Sequence, residues 1–204
     1  LLFLLFHRKL KKNFIDAIDS EERTKFIALS VTFFLIIGVY WMLRSMKDAF
    51  ITELVGVGYI RQVKIISPFA FVIALLLYNK LIGSFRRHRL FFVVCSIYAL
   101  AFSLMGYFYA YPFPVSESPL VAWIPGRALG WIAYIVIESF GGLVVNALFW
   151  SFVSNTTTTI SAKQGYPLIF LAGQIGSLLG PGFVVGFSES IGFDGLFYTA
   201  SVII

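Results

Sequence analysis

Charged residues and cysteine are scarce in this sequence. Only 13% of its 204 residues are Asp, Glu, Lys or Arg, whereas 59% are hydrophobic, and the mean hydropathy is +0.87. So little polar material cannot cover the surface of a soluble globule of this size. The composition therefore predicts an all-α membrane protein whose solvent is the bilayer.

The residues that build common enzyme sites are also missing. The single cysteine, Cys95, cannot form an intramolecular disulfide, and it is predicted to be a small buried residue. His7 and His88 stand beside arginines without a Cys or carboxylate at ligand spacing. Gly56-Val-Gly58 lacks the third glycine of a dinucleotide fingerprint, and no Lys-Ser or Lys-Thr pair closes a P-loop. The sequence therefore predicts no enzyme, no metal and no cofactor.

Long uncharged runs are what the sequence does contain. A helix needs about 20 apolar residues to cross a bilayer. Runs of this kind predict spans at residues 26–43, 65–82, 90–111, 128–153 and 166–187, and residues 196–204 begin a sixth. Because the chain starts without Met and stops inside an apolar run, we expect it to be the first six-helix half of a longer protein, with residues 26–204 as its transmembrane part.

Residues 1–25 are predicted to be a separate cytoplasmic segment. Leu10, Phe14 and Ile18 recur at helical spacing opposite charged residues. This pattern is typical of an amphipathic helix on a membrane surface. A solvated tail is the alternative.

The distribution of Lys and Arg predicts the orientation. Six of them precede the first span, and Arg86, Arg87 and Arg89 crowd the loop between the second and third spans. Positive residues near helix ends stay cytoplasmic, so both places are expected inside and the loop at residues 112–126 outside. The net charge of +6 is accordingly a topology signal, and no nucleic-acid partner is predicted.

A few ionisable residues lie inside or next to the spans, where they are costly and therefore candidates for function. Arg44 and Lys47 share a face near the outer end of the first helix, and Asp48 is placed to pair with Arg44. Lys64 precedes the second span. Two other interpretations stay open: Lys47 snorkels to the interface, or these cations pair with an acidic residue to hold helices together.

The fourth span carries one acidic residue, Glu138, near the expected bilayer midplane. Polar and small residues follow it at steps of four, which in an α-helix predicts one stripe along a water-filled cavity. The stripe comprises Tyr134, Glu138, Gly142, Asn146 and Trp150. A mere helix-pinning pair between Glu138 and Lys47 or Lys64 is the alternative.

Glycines in the fifth span predict close helix packing. Gly173, Gly176 and Gly180 recur at helical spacing, and Pro181 follows. The run Gly176–Pro181 is similar to the Gly-x-x-x-Gly-Pro signature of major-facilitator antiporters, and Asn79–Gly83 stands where that superfamily has its basic loop. Together these features favour an alternating-access transporter with a major-facilitator-like bundle.

Three further segments carry a more specific resemblance. Leu43–Asp48 is similar to the Leu-Arg-x-x-Lys-Asp motif of the nucleotide transporter family, the ATP/ADP antiporters of plastids and obligate intracellular bacteria. Residues 138–155 resemble its Glu-Leu-Trp-x-Ser and Leu-Phe-Trp-x-Phe-x-Asn run, although Phe140 replaces the Trp. Tyr166-Pro167-Leu168 stands where the family has Phe-Tyr-Pro-Leu, and the likeness extends over about residues 21–180.

The resemblance implies a twelve-helix, monomeric carrier that exchanges nucleotides, with ATP and ADP first among them, across a bacterial inner membrane or a plastid inner envelope. The family's functional lysine and glutamate carry over to Lys47 and Glu138. Substrate contacts are then expected at Lys47, Glu138, Arg44, Lys64, Tyr134 and Asn146. Because residues 154–158 depart from the family pattern, the identity of the nucleotide is left open.

The chemistry of these residues allows two transport mechanisms. Cations can compensate the phosphates of a nucleotide, and Glu138 can hold a lysine when phosphate is absent, which would make exchange obligatory. Alternatively, Glu138 titrates in a proton-coupled carrier of another organic anion or nucleotide-related metabolite.

Overall fold

The computed structural model describes residues 20–84, 87–111 and 124–204, and within these ranges it contains helices and no strands. The predicted all-α class is therefore confirmed. Most of the predicted amphipathic segment and of the outer loop lies outside the described residues. Among the described residues, five helices are long and apolar enough to cross a membrane: α1 (Ser20–Leu54), α2 (Ile60–Ser84), α3 (Arg87–Ala110), α4 (Ala128–Thr156) and α5 (Thr159–Ile203).

Helices α1 and α2 extend beyond the apolar runs that predicted them. At 1.5 Å per residue, the 35 residues of α1 are about 52 Å long, well beyond the hydrocarbon thickness. The charged residues Lys47 and Asp48 therefore lie inside the helix. Lys64, expected before the second helix, lies more than one turn inside α2. A charge marks the edge of the apolar run, but it does not end the backbone hydrogen bonding.

The predicted fifth and sixth spans form one helical run, α5, that is broken at Gly192. Its φ of 66° and ψ of −178° are not helical, and this backbone conformation favours glycine. After the break the chain runs back along α3, where the Ser201 hydroxyl donates to the Ala99 carbonyl at 2.7 Å. Gly106 of α3 lies against Asp194 and Tyr198 of the same segment.

Aromatic rings fill the core between α1, α3, α4 and the end of α5. Phe50 of α1 packs edge-on against Phe197, which stacks on Phe102 of α3. Phe102 in turn contacts Phe140 of α4 at a ring-centroid distance of 5.6 Å. All four rings are buried. Such large apolar side chains fix the helices relative to one another and so position what lies between them.

Hydrogen bonds tie the helices together at both ends of the bundle. At one end Lys25 donates to the Thr156 carbonyl, and the Ser161 hydroxyl donates to Glu22 at 2.6 Å. At the other end the Tyr109 hydroxyl donates to Glu53 at 2.7 Å. The candidate site therefore lies in a bundle that is held at each end.

Helices α1 and α5 approach closely at glycines, as their spacing predicted. A Cβ at Gly176 would lie 2.5 Å from the Phe34 carbonyl oxygen, and one at Gly180 would lie 2.9 Å from the Met42 nitrogen. Both neighbours are backbone atoms, which cannot move aside without shifting the helix. Small residues at such an interface let two helix backbones pack in direct contact.

We therefore expect Gly180→Ala to lower the stability of the full-length protein by about 1–3 kcal/mol, the usual cost of overpacking. The measurement is the melting temperature of the detergent-solubilised protein. Gly182→Ala is the matched control, since a Cβ there meets nothing within 4 Å. Equal melting of the two variants would contradict the close contact between α1 and α5.

Candidate functional site

A polar cavity of about 410 Å³ lies between α1, α2 and α4. Its volume is within the range of small-molecule sites. The lining residues are Arg44, Lys47, Asp48, Lys64, Ser67, Pro68, Tyr134 and Glu138. The structure thus brings together five of the six residues singled out in the sequence, and it leaves Asn146 out.

Lys47 and Glu138 form an ion pair that joins α1 to α4. The Lys47 side chain is only 7% exposed and that of Glu138 is 30% exposed. The Lys47 ammonium also lies 4.3 Å from the centroid of the buried Tyr134 ring, which is a favourable cation–π geometry. A pair this well removed from water is costly to break by removing one partner, at about 3–5 kcal/mol.

Asp48 and Lys64 form a second pair, which joins α1 to α2. Their charged atoms are 3.5 Å apart, and the side chains are 47% and 51% exposed. Exposed pairs of this kind contribute about 0–1 kcal/mol. The predicted pairing of Asp48 with Arg44 is wrong, because helix α2 brings Lys64 to the Asp48 carboxylate. The residue spacing within α1 could not indicate this contact between two helices.

Arg44 is held by aromatic side chains instead of a carboxylate. Its guanidinium donates to the Tyr40 hydroxyl at 2.5 Å and lies 5.2 Å from the Trp41 ring centroid. It forms no ion pair with any carboxylate in the part of the chain that the structure describes. Arg44 is therefore a cation whose charge is available to an anion in the cavity.

Two buried polar atoms of the cavity wall lack a hydrogen-bond partner among the described residues. They are the Tyr134 hydroxyl and the Asp48 Oδ1. A buried polar group without a partner is costly, and the Tyr134 hydroxyl lies beside the Asp48 carboxylate, so each is expected to find its partner in the other, in a bound water or in a ligand. Tyr134 can donate to an anion, and Asp48 can accept from a hydroxyl.

Helix α4 changes its winding directly after Glu138. Residues Ala128–Phe140 are α-helical, Gly141–Phe149 form a π-helix, and Trp150–Thr156 are α-helical again. In a π-helix the hydrogen bonds run from i to i+5, so steps of four do not keep to one face. The predicted continuous stripe is therefore wrong beyond Glu138: Asn146 is exposed, and its amide donates to the Gly141 carbonyl at 3.1 Å.

Two aromatic rings pack directly against Gly141 and Gly142 at the start of the π-helix. The Tyr40 ring of α1 lies where a Cβ on Gly141 would stand, and the Phe71 ring of α2 does the same at Gly142. Tyr40, Phe71 and the two glycines each lie about one helical turn from a residue of the same helix that lines the cavity. The rings therefore form an aromatic layer beside the polar cavity.

Ser67 and Pro68 complete the wall on α2, and both were missed in the sequence. A proline inside a helix has no N–H for the carbonyl four residues earlier, which here belongs to Lys64. The position of Pro68 one helical turn after Lys64 was the feature of the sequence that could have indicated a place in the cavity wall. The described residues contain no group of three or more side chains suited to hold a metal ion.

Comparison with known proteins agrees with this architecture. The match to the TLC ATP/ADP transporter family extends over residues 6–118 and 127–198. Similar proteins include ADP,ATP carrier protein 4 of Rickettsia typhi (28% identity) and of Rickettsia prowazekii (29%), each covering 87% of this chain. ADP,ATP carrier protein 1 of Rickettsia conorii is 31% identical over 78% of the chain. No solved structure matches.

The chain spans 38% of the length of the two carrier protein 4 sequences. The cavity is thus built from helices that correspond to a part of those proteins. With the family match extending over most of its residues and five apolar helices among those that the structure describes, the chain belongs to the TLC ATP/ADP transporter family and is a multi-pass membrane protein.

Proposed function

We propose that the full-length protein is a membrane carrier that exchanges nucleotides, ATP and ADP first among them, by alternating access. The observation that supports it most is the buried Lys47–Glu138 pair in the wall of a polar cavity. The similar Rickettsia proteins bear the name ADP,ATP carrier. We further propose a bacterial inner membrane as its location, a monomeric state and no enzymatic activity.

The charges of the cavity suit a phosphate chain. Arg44, Lys47 and Lys64 line it together with the carboxylates Asp48 and Glu138. Hydrogen bonds between ionised partners are about twice as strong as neutral ones, and the low dielectric of the site strengthens them further. A phosphate group can therefore replace a carboxylate as the partner of a lysine.

The ion pair also explains why transport would require exchange. In the empty carrier Lys47 is held by Glu138, and freeing it without a replacement would leave a poorly hydrated charge. A bound nucleotide supplies that replacement. Reorientation is then favoured only when the cavity is occupied, so each inward step is coupled to an outward one.

Uptake of labelled nucleotides by cells that express the full-length protein tests the proposal. We expect labelled ATP and ADP to accumulate and unlabelled ADP to compete, whereas adenosine, which has no phosphate, should not compete. Competition by adenosine as strong as by ADP would show that the cations do not select the substrate. Failure of any nucleotide to enter would reject the proposed function.

A further inference from the structure

The two ion pairs place two lysines on different walls of the same cavity. Lys47 and Asp48 are neighbours on α1, and successive residues of an α-helix point about 100° apart. Lys47 accordingly meets Glu138 of α4, while Asp48 meets Lys64 of α2. A small anion that reaches one wall contacts one lysine, and a longer anion can bridge both.

The two lysines also differ in how firmly they are held. Lys47 is 7% exposed and packs on the Tyr134 ring, whereas Lys64 is 51% exposed and its pair with Asp48 has a separation of 3.5 Å. Water screens the second pair far more than the first. Lys64 can therefore leave Asp48 for a ligand at little cost, provided that the ligand extends to α2.

Asp48 keeps Lys64 away from ligands that do not extend that far. Among the described residues Lys64 is the one ion-pair partner of Asp48. With a short anion, Lys64 stays paired with this carboxylate and adds no contact to the ligand. A phosphate chain that reaches α2 carries more charge than one carboxylate, so it can take Lys64 from Asp48.

We propose that the Asp48–Lys64 pair is a specificity determinant that reads the length of the ligand's phosphate chain. Lys47 binds a phosphate in every nucleotide, and Lys64 adds a contact only when the chain bridges the cavity. This assignment rests on the proposed function, because it assumes that nucleotides bind between α1, α2 and α4.

The test compares AMP, ADP and ATP as competitors for binding to the purified full-length carrier. A charge-assisted hydrogen bond to Lys64 should make Lys64→Gln weaken ATP about tenfold more than AMP, so the ratio of their affinities falls. Lys64→Arg keeps the charge at this wall and should retain most of the discrimination. Lys47→Gln should weaken all three ligands, and Lys163→Gln, an exposed lysine of α5, should change none.

The outcomes separate the two proposals. If wild type binds nucleotides but Lys64→Gln weakens AMP and ATP equally, Lys64 contributes only to the general field of the cavity, and the length-reading role is rejected. If wild type binds none of the three, the proposed function itself fails. The melting temperature of Lys64→Gln shows whether that variant still folds. Lys64→Arg keeps the charge and is expected to fold, so the ratio of ATP to AMP affinity can be measured in it in either case.

Discussion

Replacing Lys47 by alanine should reduce nucleotide exchange by the full-length carrier about 100-fold or more. The substitution removes the buried cation of the cavity wall and leaves Glu138 without its partner. Losing a buried charge partner of the bound phosphate costs about 2–5 kcal/mol of binding free energy, and about 2.7 kcal/mol corresponds to 100-fold. The measurement is the initial rate of labelled ADP uptake into vesicles, normalised to the amount of folded carrier.

Lys163→Ala is the matched control, because Lys163 is an exposed lysine on α5 away from the cavity lining. It should leave the rate within about a factor of two, as surface substitutions usually do. Lys47→Arg should recover only part of the loss, since a planar guanidinium does not replace a compact ammonium between Glu138 and the Tyr134 ring. Equal and mild effects at Lys47 and Lys163 would mean that the Lys47–Glu138 pair only holds α1 and α4 together.

Glu138→Gln should also abolish most of the exchange, and for the same physical reason. Glutamine keeps the shape of the side chain but removes the charge, so Lys47 loses its ion-pair partner in the empty carrier. We expect the decrease to be again about 100-fold per folded carrier, which corresponds to about 2.7 kcal/mol in the transport barrier. The melting temperature of the variant shows how much of any loss is due to lost folding instead. Ser139→Ala, which removes the neighbouring hydroxyl that accepts from Tyr98 at 2.9 Å, changes no charge and should have a smaller effect.

An imposed pH gradient distinguishes the role of Glu138 in exchange from a role in proton coupling. In the exchange mechanism Glu138 holds Lys47 and carries no proton across the membrane, so wild-type exchange should not depend on the gradient. Uptake driven by a proton gradient in wild type and lost in Glu138→Gln would make Glu138 a proton site. The ion-pair mechanism would then be wrong.

The helical class and the close approach of another helix to α5 could be predicted, because both depend on the composition and residue spacing of single segments. Which helix approaches could not be predicted in this way. Long uncharged runs locate the helices because only such segments can cross the hydrocarbon core of a membrane. The spacing of Gly176 and Gly180 predicts a face that another backbone can approach, and α1 occupies it. Helix ends were less predictable, since α1 continues through Lys47 and Asp48 to Leu54.

The sequence predicted which residues belong to the candidate site better than it predicted which of them form ion pairs. Ionisable residues in apolar spans identified Lys47, Lys64 and Glu138 as candidates, because each is costly outside a polar cavity. The partner of Asp48 depends on where α2 lies, and that is a tertiary property. Likewise, the loss of Asn146 from the cavity follows from the π-helical segment, whereas the four-residue spacing assumed an α-helix.

Release of labelled ADP from preloaded vesicles is the measurement that tests the central claim most directly. Vesicles carrying the full-length protein are loaded with labelled ADP and diluted into buffer with or without external ATP. The ion-pair account predicts rapid release when ATP is present, very slow release into nucleotide-free buffer, and no stimulation by ATP in Lys47→Ala. Equally fast release with and without external nucleotide would contradict it, because the empty carrier would then reorient freely despite the Lys47–Glu138 pair.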